Sequence, residues 1–258
     1  MKNVSRLFLL LLFLQSVTPS AYGINSIHTG TGLKTIVIDP GHGGSDKGGE
    51  GKNGLLEKDV ALEVSLSLRQ MMLNNLKINV VMTRDGDYDL SLKKRTDMAN
   101  MSKGDLLISI HTGSSYSRDI KGIRIYYLDY EEVRKEFMVG PSNHEAEADN
   151  NGGGEDDVEI ILRDMAISDF SNEGGHVAEL IQKNLTEIIP DQNVILKSMP
   201  ILIFRDVNMP SVMIEIGNLT NQDDMMRLKD RKYRDKVAMA ILNAVKEYSR
   251  VNSGMVTR

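Results

Sequence analysis

Thr35-Ile36-Val37-Ile38-Asp39-Pro40-Gly41-His42-Gly43-Gly44 is an apolar run stopped by a glycine turn that carries a histidine. A short β-branched run bounded by Pro and Gly reads as a buried strand. Two further runs end the same way: Leu106-Leu107-Ile108-Ser109-Ile110 enters His111, and Val212-Met213-Ile214 enters Glu215. In open α/β sheets, ligands occupy the crevice at the carboxyl ends of the strands. Three such ends delivering His, His and Glu, with Glu57 shortly after the first, predict a catalytic divalent-metal site.

Outward from that stretch, helix and strand patterns alternate. A helix is expected from Glu57, with Ala61, Val64, Leu68 and Met71 at spacings of three and four. Strands at 78–83, 105–110 and 122–128 and a helix over 91–102 follow. After an interruption at 129–170, helices are expected over 157–169 and 171–189, the second ended by Pro190. Segments 194–196, 201–204 and 211–215 read as strands. Asn221, three residues before Asp224, reads as a helix start. Val237, Ile241, Ala244, Val245 and Tyr248 mark one face of a last helix. There is no internal repeat. The expected fold is one α/β domain over 34–250: a central mixed, mostly parallel sheet flanked by helices on both faces, plus an inserted acidic segment.

At 258 residues with 41% hydrophobic and 26% charged residues, the chain can bury a sizeable core. A net charge of −5 argues against nucleic acid as a partner. The absence of cysteine excludes disulfides, thiolate metal ligands and thiol nucleophiles. Lys2 and Arg6 precede an apolar core from Leu7 to Leu14, and Ala21-Tyr22-Gly23 offers a cleavage site. Residues 1–23 therefore read as a signal peptide and 24–33 as a short mature N-terminus, with 251–258 a tail. The expectation is an exported protein, periplasmic or extracellular, with no membrane span after signal removal. Between Asp129 and Glu159, eleven Asp and Glu stand against Arg134 and Lys135, a net of −9, so the rest of the chain carries +4. By composition alone this is a solvated acidic loop.

Three protein ligands and an open position make a catalytic zinc site. His42, Glu57 and His111 are the candidate ligands, although each alone also fits a plain structural role. Glu215, at the end of a buried strand, is the candidate proton carrier. Its structural alternative is a salt bridge with a neighbour such as Arg205. Asp39 reads as a turn-former or as the acceptor for a ligating histidine. His28, His144 and His176 receive no metal role. Gly49-Glu50-Gly51-Lys52-Asn53-Gly54 fits G-x-G-x-x-G, but it does not directly follow a strand, as a dinucleotide site requires.

Taken together, several pieces resemble the zinc-dependent N-acetylmuramoyl-L-alanine amidases. They are Ile38–Gly44, Asn53–Asp59, Met82-Thr83-Arg84, Ser109-Ile110-His111, Gly122–Leu128 and Asn208–Gly217. They stand in the family's order across about 34 to 250. The resemblance implies one zinc ion per chain on His42, Glu57 and His111, with Glu215 as catalytic carboxylate. It also implies cleavage of the amide between N-acetylmuramic acid and the L-alanine of peptidoglycan stem peptides. In the cell-division members an inserted helix blocks the zinc until an activator protein moves it. Segment 129–170 resembles that element, with Glu147 or Glu145 as the blocking carboxylate. Arg205 matches a recurring arginine that would meet a substrate carboxylate. The chain departs from the family's His-Ala-Asn with His111-Thr112-Gly113, and has Asn218 where an aromatic is common. Those departures keep open a non-catalytic wall binder on the same fold; a zinc peptidase cutting another wall-peptide bond is a further alternative.

Overall fold

The computed structural model describes residues 32–52, 54–130 and 157–252. The expected signal peptide, the acidic segment at 131–156 with Glu145 and Glu147, and the tail from 253 on lie outside the described residues.

The alternating run becomes six strands in one sheet. They are β1 (Thr35–Pro40), β2 (Asn79–Met82), β3 (Leu106–Gly113), β4 (Ile123–Tyr127), β5 (Val194–Ser198) and β6 (Ser211–Asn218), ordered β2-β1-β3-β6-β4-β5. β2, β1, β3 and β6 are parallel. β4 runs antiparallel to β6, and β5 parallel to β4. Among the described residues, six helices accompany the sheet: α1 (Glu57–Asn75), α2 (Leu92–Met101), α3 (Asp157–Ile188), α4 (Leu202–Arg205), α5 (Gln222–Lys229) and α6 (Arg231–Asn252).

Because strand side chains alternate between faces, each parallel strand is apolar on both sides. Ile36, Ile38, Ile108, Ile110, Ile214 and Ile216 point to one face, under Val64 and Leu68 of α1, Ile181 and Leu185 of α3, and Val237 and Ile241 of α6. Val37 and Leu107 point to the other, beneath Ala99 of α2 and Ile203 and Phe204 of α4. Each fully buried Ile or Leu contributes about 1.5–3 kcal/mol, so this double layer is the main driving force for the fold. Helix starts follow local chemistry. Ser91 accepts from the Lys94 amide at the head of α2, and Asn221 accepts from the Asp223 and Asp224 amides at the head of α5.

Several elements depart from expectation. The two helices expected over 157–169 and 171–189 are one 32-residue helix, α3. Ser171 does not begin a helix; its hydroxyl donates to the Leu128 carbonyl and accepts from the Tyr130 amide. The strand expected at 201–204 is the single helical turn α4, with Ile203 and Phe204 buried and Leu202 exposed. A four-residue apolar run has no period to separate the two outcomes. β3 and β6 also run on past residues 110 and 215, pairing through a bulge between His111 and Gly113.

Candidate metal centre

β1 hands the chain to a turn fixed on β3 by the Gly41 amide, which donates to the Ile110 carbonyl at 2.9 Å. A Cβ at Gly41 would collide with the His111 imidazole, so the backbone here must be bare. His42 follows with φ of 58°, a left-handed conformation that L-residues rarely hold. Two buried arginines hold it there. Arg95 donates to the His42 carbonyl at 2.6 Å and to Pro40, and Arg84 donates to the Gly41 carbonyl at 2.6 Å and to Pro40.

The His42 Nε2 atom lies 3.2 Å from Glu57 Oε1, and His111 Nδ1 lies 3.0 Å from the same oxygen. The two imidazoles meet edge to face, with centroids 5.1 Å apart. Glu57 comes from the first turn of α1, where the helix dipole favours a carboxylate. Its Oε1 accepts from the Thr112 amide and its Oε2 from the Gly49 amide. Burial pushes the Glu57 carboxyl up, but bonds from His111 and His42 outweigh it and hold it well below the usual carboxylate range. The bond to Glu57 raises His42 above its ordinary value, against burial.

One atom from each of His42, Glu57 and His111 falls within 4.8 Å of the other two, which makes them a candidate set of ligands for one cation. Two imidazoles and an ionised carboxylate from separate elements fit a hydrolytic zinc, whose remaining position is open. Asp46 Oδ2, 2.8 Å from His42 Nδ1, fixes the ring and directs Nε2 inward.

Glu215 is the β6 partner of His111 on one side and of Arg124 on the other, so all three emerge in one row on one face. Its Oε2 accepts from Arg124 Nη1 at 3.0 Å and the Tyr126 hydroxyl at 3.1 Å. Burial, then the Glu215 charge, pushes the Tyr126 phenol up to about 12, so it donates throughout the neutral range. A cavity of about 410 Å³ opens beside Glu215.

The neighbour that ion-pairs with Glu215 is Arg124, where the structural alternative had named Arg205. Arg205 ends α4, exposed, and does not line that cavity. Asp39 serves no histidine; it is buried and accepts from Thr83, Arg95 and Ser109. Asp46 does the work expected of Asp39. Arg124, Tyr126, Arg84, Arg95 and Asp46 carry no site role in the expectations from sequence. A signal existed for two of them: Arg124 and Tyr126 alternate with the buried Ile123 and Ile125, which places them on the face of Glu215.

A mixed α/β sheet that gathers two imidazoles and a carboxylate at its strand ends, with a second carboxylate one strand away, defines an α/β protein with a candidate hydrolytic metal site. The chain belongs to the N-acetylmuramoyl-L-alanine amidase family (Amidase_3), whose model matches residues 36–247. A Buchnera aphidicola protein provisionally named an N-acetylmuramoyl-L-alanine amidase is 31% identical over 222 residues, 82% of this chain and 95% of the relative. The amidase AmiA of Escherichia coli is 26% identical, over 84% of this chain and 76% of its own. Among solved structures, the amidase AmiC2 of Nostoc punctiforme superposes with a TM-score of 0.65 at 26% identity, covering 85% of this chain and 98% of that one.

Proposed function

We propose that this chain is an exported zinc-dependent hydrolase that cleaves the amide between N-acetylmuramic acid and the L-alanine of peptidoglycan stem peptides. The observation that carries the reading is the convergence of His42, Glu57 and His111 within 4.8 Å, with Glu215 on the neighbouring strand, in a chain of this family. When bound, zinc supplies Lewis acidity toward the scissile carbonyl and acidifies a water. The chain's own residues do the rest. Asp46 orients the His42 imidazole, and Arg124 and Tyr126 together grip Oε2 of Glu215. That leaves Oε1 of Glu215 to take a proton from the attacking water and deliver it to the alanine nitrogen as the amide bond breaks.

Metal analysis and product identification test this together. The purified protein should hold one zinc per chain, and chelation should abolish release of peptide with a free alanine amino group from isolated wall. Zinc with cleavage inside the stem peptide would mark a peptidase instead, and neither zinc nor cleavage would mark a wall binder.

The reading includes gating by the 129–170 segment, which rests on its net charge of −9 between 129 and 159 and on an anionic segment's attraction to a cationic pocket. Deleting 130–156 should raise the rate on isolated wall about tenfold, the gain expected if roughly a tenth of molecules are open at rest. An unchanged or lower rate in a folded deletion variant would remove the gate. An activator protein would act by displacing the same segment.

A further inference from the structure

The cavity beside Glu215 is not accounted for by the chemistry above. We infer that it is a subsite for a carboxylate of the departing peptide, held by Arg124 and Lys197. The peptide's identity rests on the amidase reading; the charge of the site does not.

Strand register assembles the subsite. Arg124 of β4 pairs with Glu215 of β6 on one side and Ile195 of β5 on the other, and Tyr126 pairs with Lys197. Directly paired residues point to the same face of a sheet, so Glu215, Arg124, Tyr126 and Lys197 share one wall. All four line the cavity, together with Gly113 and Asn218. A Cβ at Gly113 would lie 3.1 Å from Glu215 Oε2 and 3.2 Å from Arg124 Nη1. The bare backbone there admits the guanidinium to the site. This links the departure at residue 113, glycine where the family carries an amide, to an arginine reaching in from the next strand.

The charge count decides the ligand. Arg124 has five N–H donors and bonds Glu215 with one nitrogen, Nη1. Lys197 is exposed and has no ion-pair partner among the described residues. Among the described residues lining the cavity, Glu215 is the only carboxylate, so it leaves one of the two cations unbalanced. A neutral or cationic ligand would leave it so, whereas a carboxylate meets both a planar fork and an ammonium. Glu215 is also the group assigned to protonate the leaving nitrogen, so the adjoining cavity belongs to the peptide side of the scissile bond.

The test compares muramoyl-peptides that differ only in one peptide carboxylate, free or converted to carboxamide, with the glutamyl and terminal positions changed in turn. The wild type should favour the free acid at one position by at least about fivefold in kcat/KM, the scale of a partly exposed ion pair. That preference should shrink as salt rises. Lys197→Met should reduce it through KM, and Lys197→Arg should restore it. Equal kcat/KM for every pair in the wild type, or an undiminished preference in Lys197→Met, overturns the subsite and leaves the amidase reading standing. If no muramoyl-peptide is cleaved, the amidase reading fails. Calorimetry with the free peptides then decides the subsite: selective binding of the acid sustains it, and equal or absent binding overturns it.

Discussion

Replacing Glu215 with glutamine is expected to lower kcat about a hundred- to ten-thousand-fold, the usual worth of a positioned proton carrier. Zinc content and fold should be unchanged. Glutamine keeps the shape of the side chain and can still offer its carbonyl oxygen to Arg124 and Tyr126, which hold Oε2 in the native protein. What it loses is the ability to take a proton and return it. A loss confined to kcat, with KM and metal stoichiometry retained, is therefore the signature of the assigned role. Steady-state rates on a defined muramoyl-peptide, with metal analysis of the same sample, measure both quantities. Should zinc leave together with activity, Glu215 would be part of the ion's environment rather than the proton carrier. A kcat within tenfold of the native value would end the proton-transfer role.

How far the residues alone led depended on whether the deciding force was local. β1 and its histidine turn were legible because an apolar β-branched run, a proline and three glycines each restrict the backbone in the same direction. The start of α1 at Glu57 and the cap at Asn221 are likewise local chemistry. α3 was divided in two because Ser171 reads as a helix start; Gly174 and Gly175 lie inside the second piece. In the fold they are contact points: a Cβ at Gly174 would press 3.1 Å from the Ser211 carbonyl oxygen, and one at Gly175 would lie 3.3 Å from the Tyr127 ring. Close approach of helix to sheet outweighs the roughly 1 kcal/mol propensity cost of glycine. The candidate ligands were readable since each sits where a strong pattern ends. Their supports were not, because Arg84, Arg95 and Arg124 reach the site across 43 to 91 residues of chain, and arginine is usually a surface residue. No spacing rule shows that a guanidinium will be buried; that requires knowing which carbonyls the fold leaves unpaired.

Arg84 is where fold and site meet, and Arg84→Lys should damage both. The side chain is fully buried, and its guanidinium donates to four carbonyls: Pro40 at 3.0 Å, Gly86 at 3.1 Å, Gly41 at 2.6 Å and Lys58 at 2.8 Å. Burial, then the neighbouring Arg95, lowers its pKa below that of a free guanidinium. Lysine keeps the charge but offers one nitrogen, which cannot span acceptors arranged around a planar fork. At least two buried carbonyls would lose their donor around a desolvated ammonium, at a cost of about 3–5 kcal/mol. For a domain of this size that lowers Tm by roughly 10 °C. The second effect is specific to the site. Gly41 and Lys58 flank the candidate ligands His42 and Glu57 in sequence, and His42 sits at φ 58°, a conformation costing about 1–3 kcal/mol that its surroundings must impose. With the clamp loosened, His42 can relax toward an ordinary backbone, and zinc affinity should fall about tenfold. Chemical denaturation and competition against a zinc-chelating dye read the two effects separately. A variant that loses stability but holds zinc as tightly as the native protein would show that Arg95 alone sets the His42 turn, through its 2.6 Å bond to the His42 carbonyl. A variant that loses neither would show that the four carbonyls find other donors, and that a single buried cation does not tie β1, α1 and the 84–86 turn together.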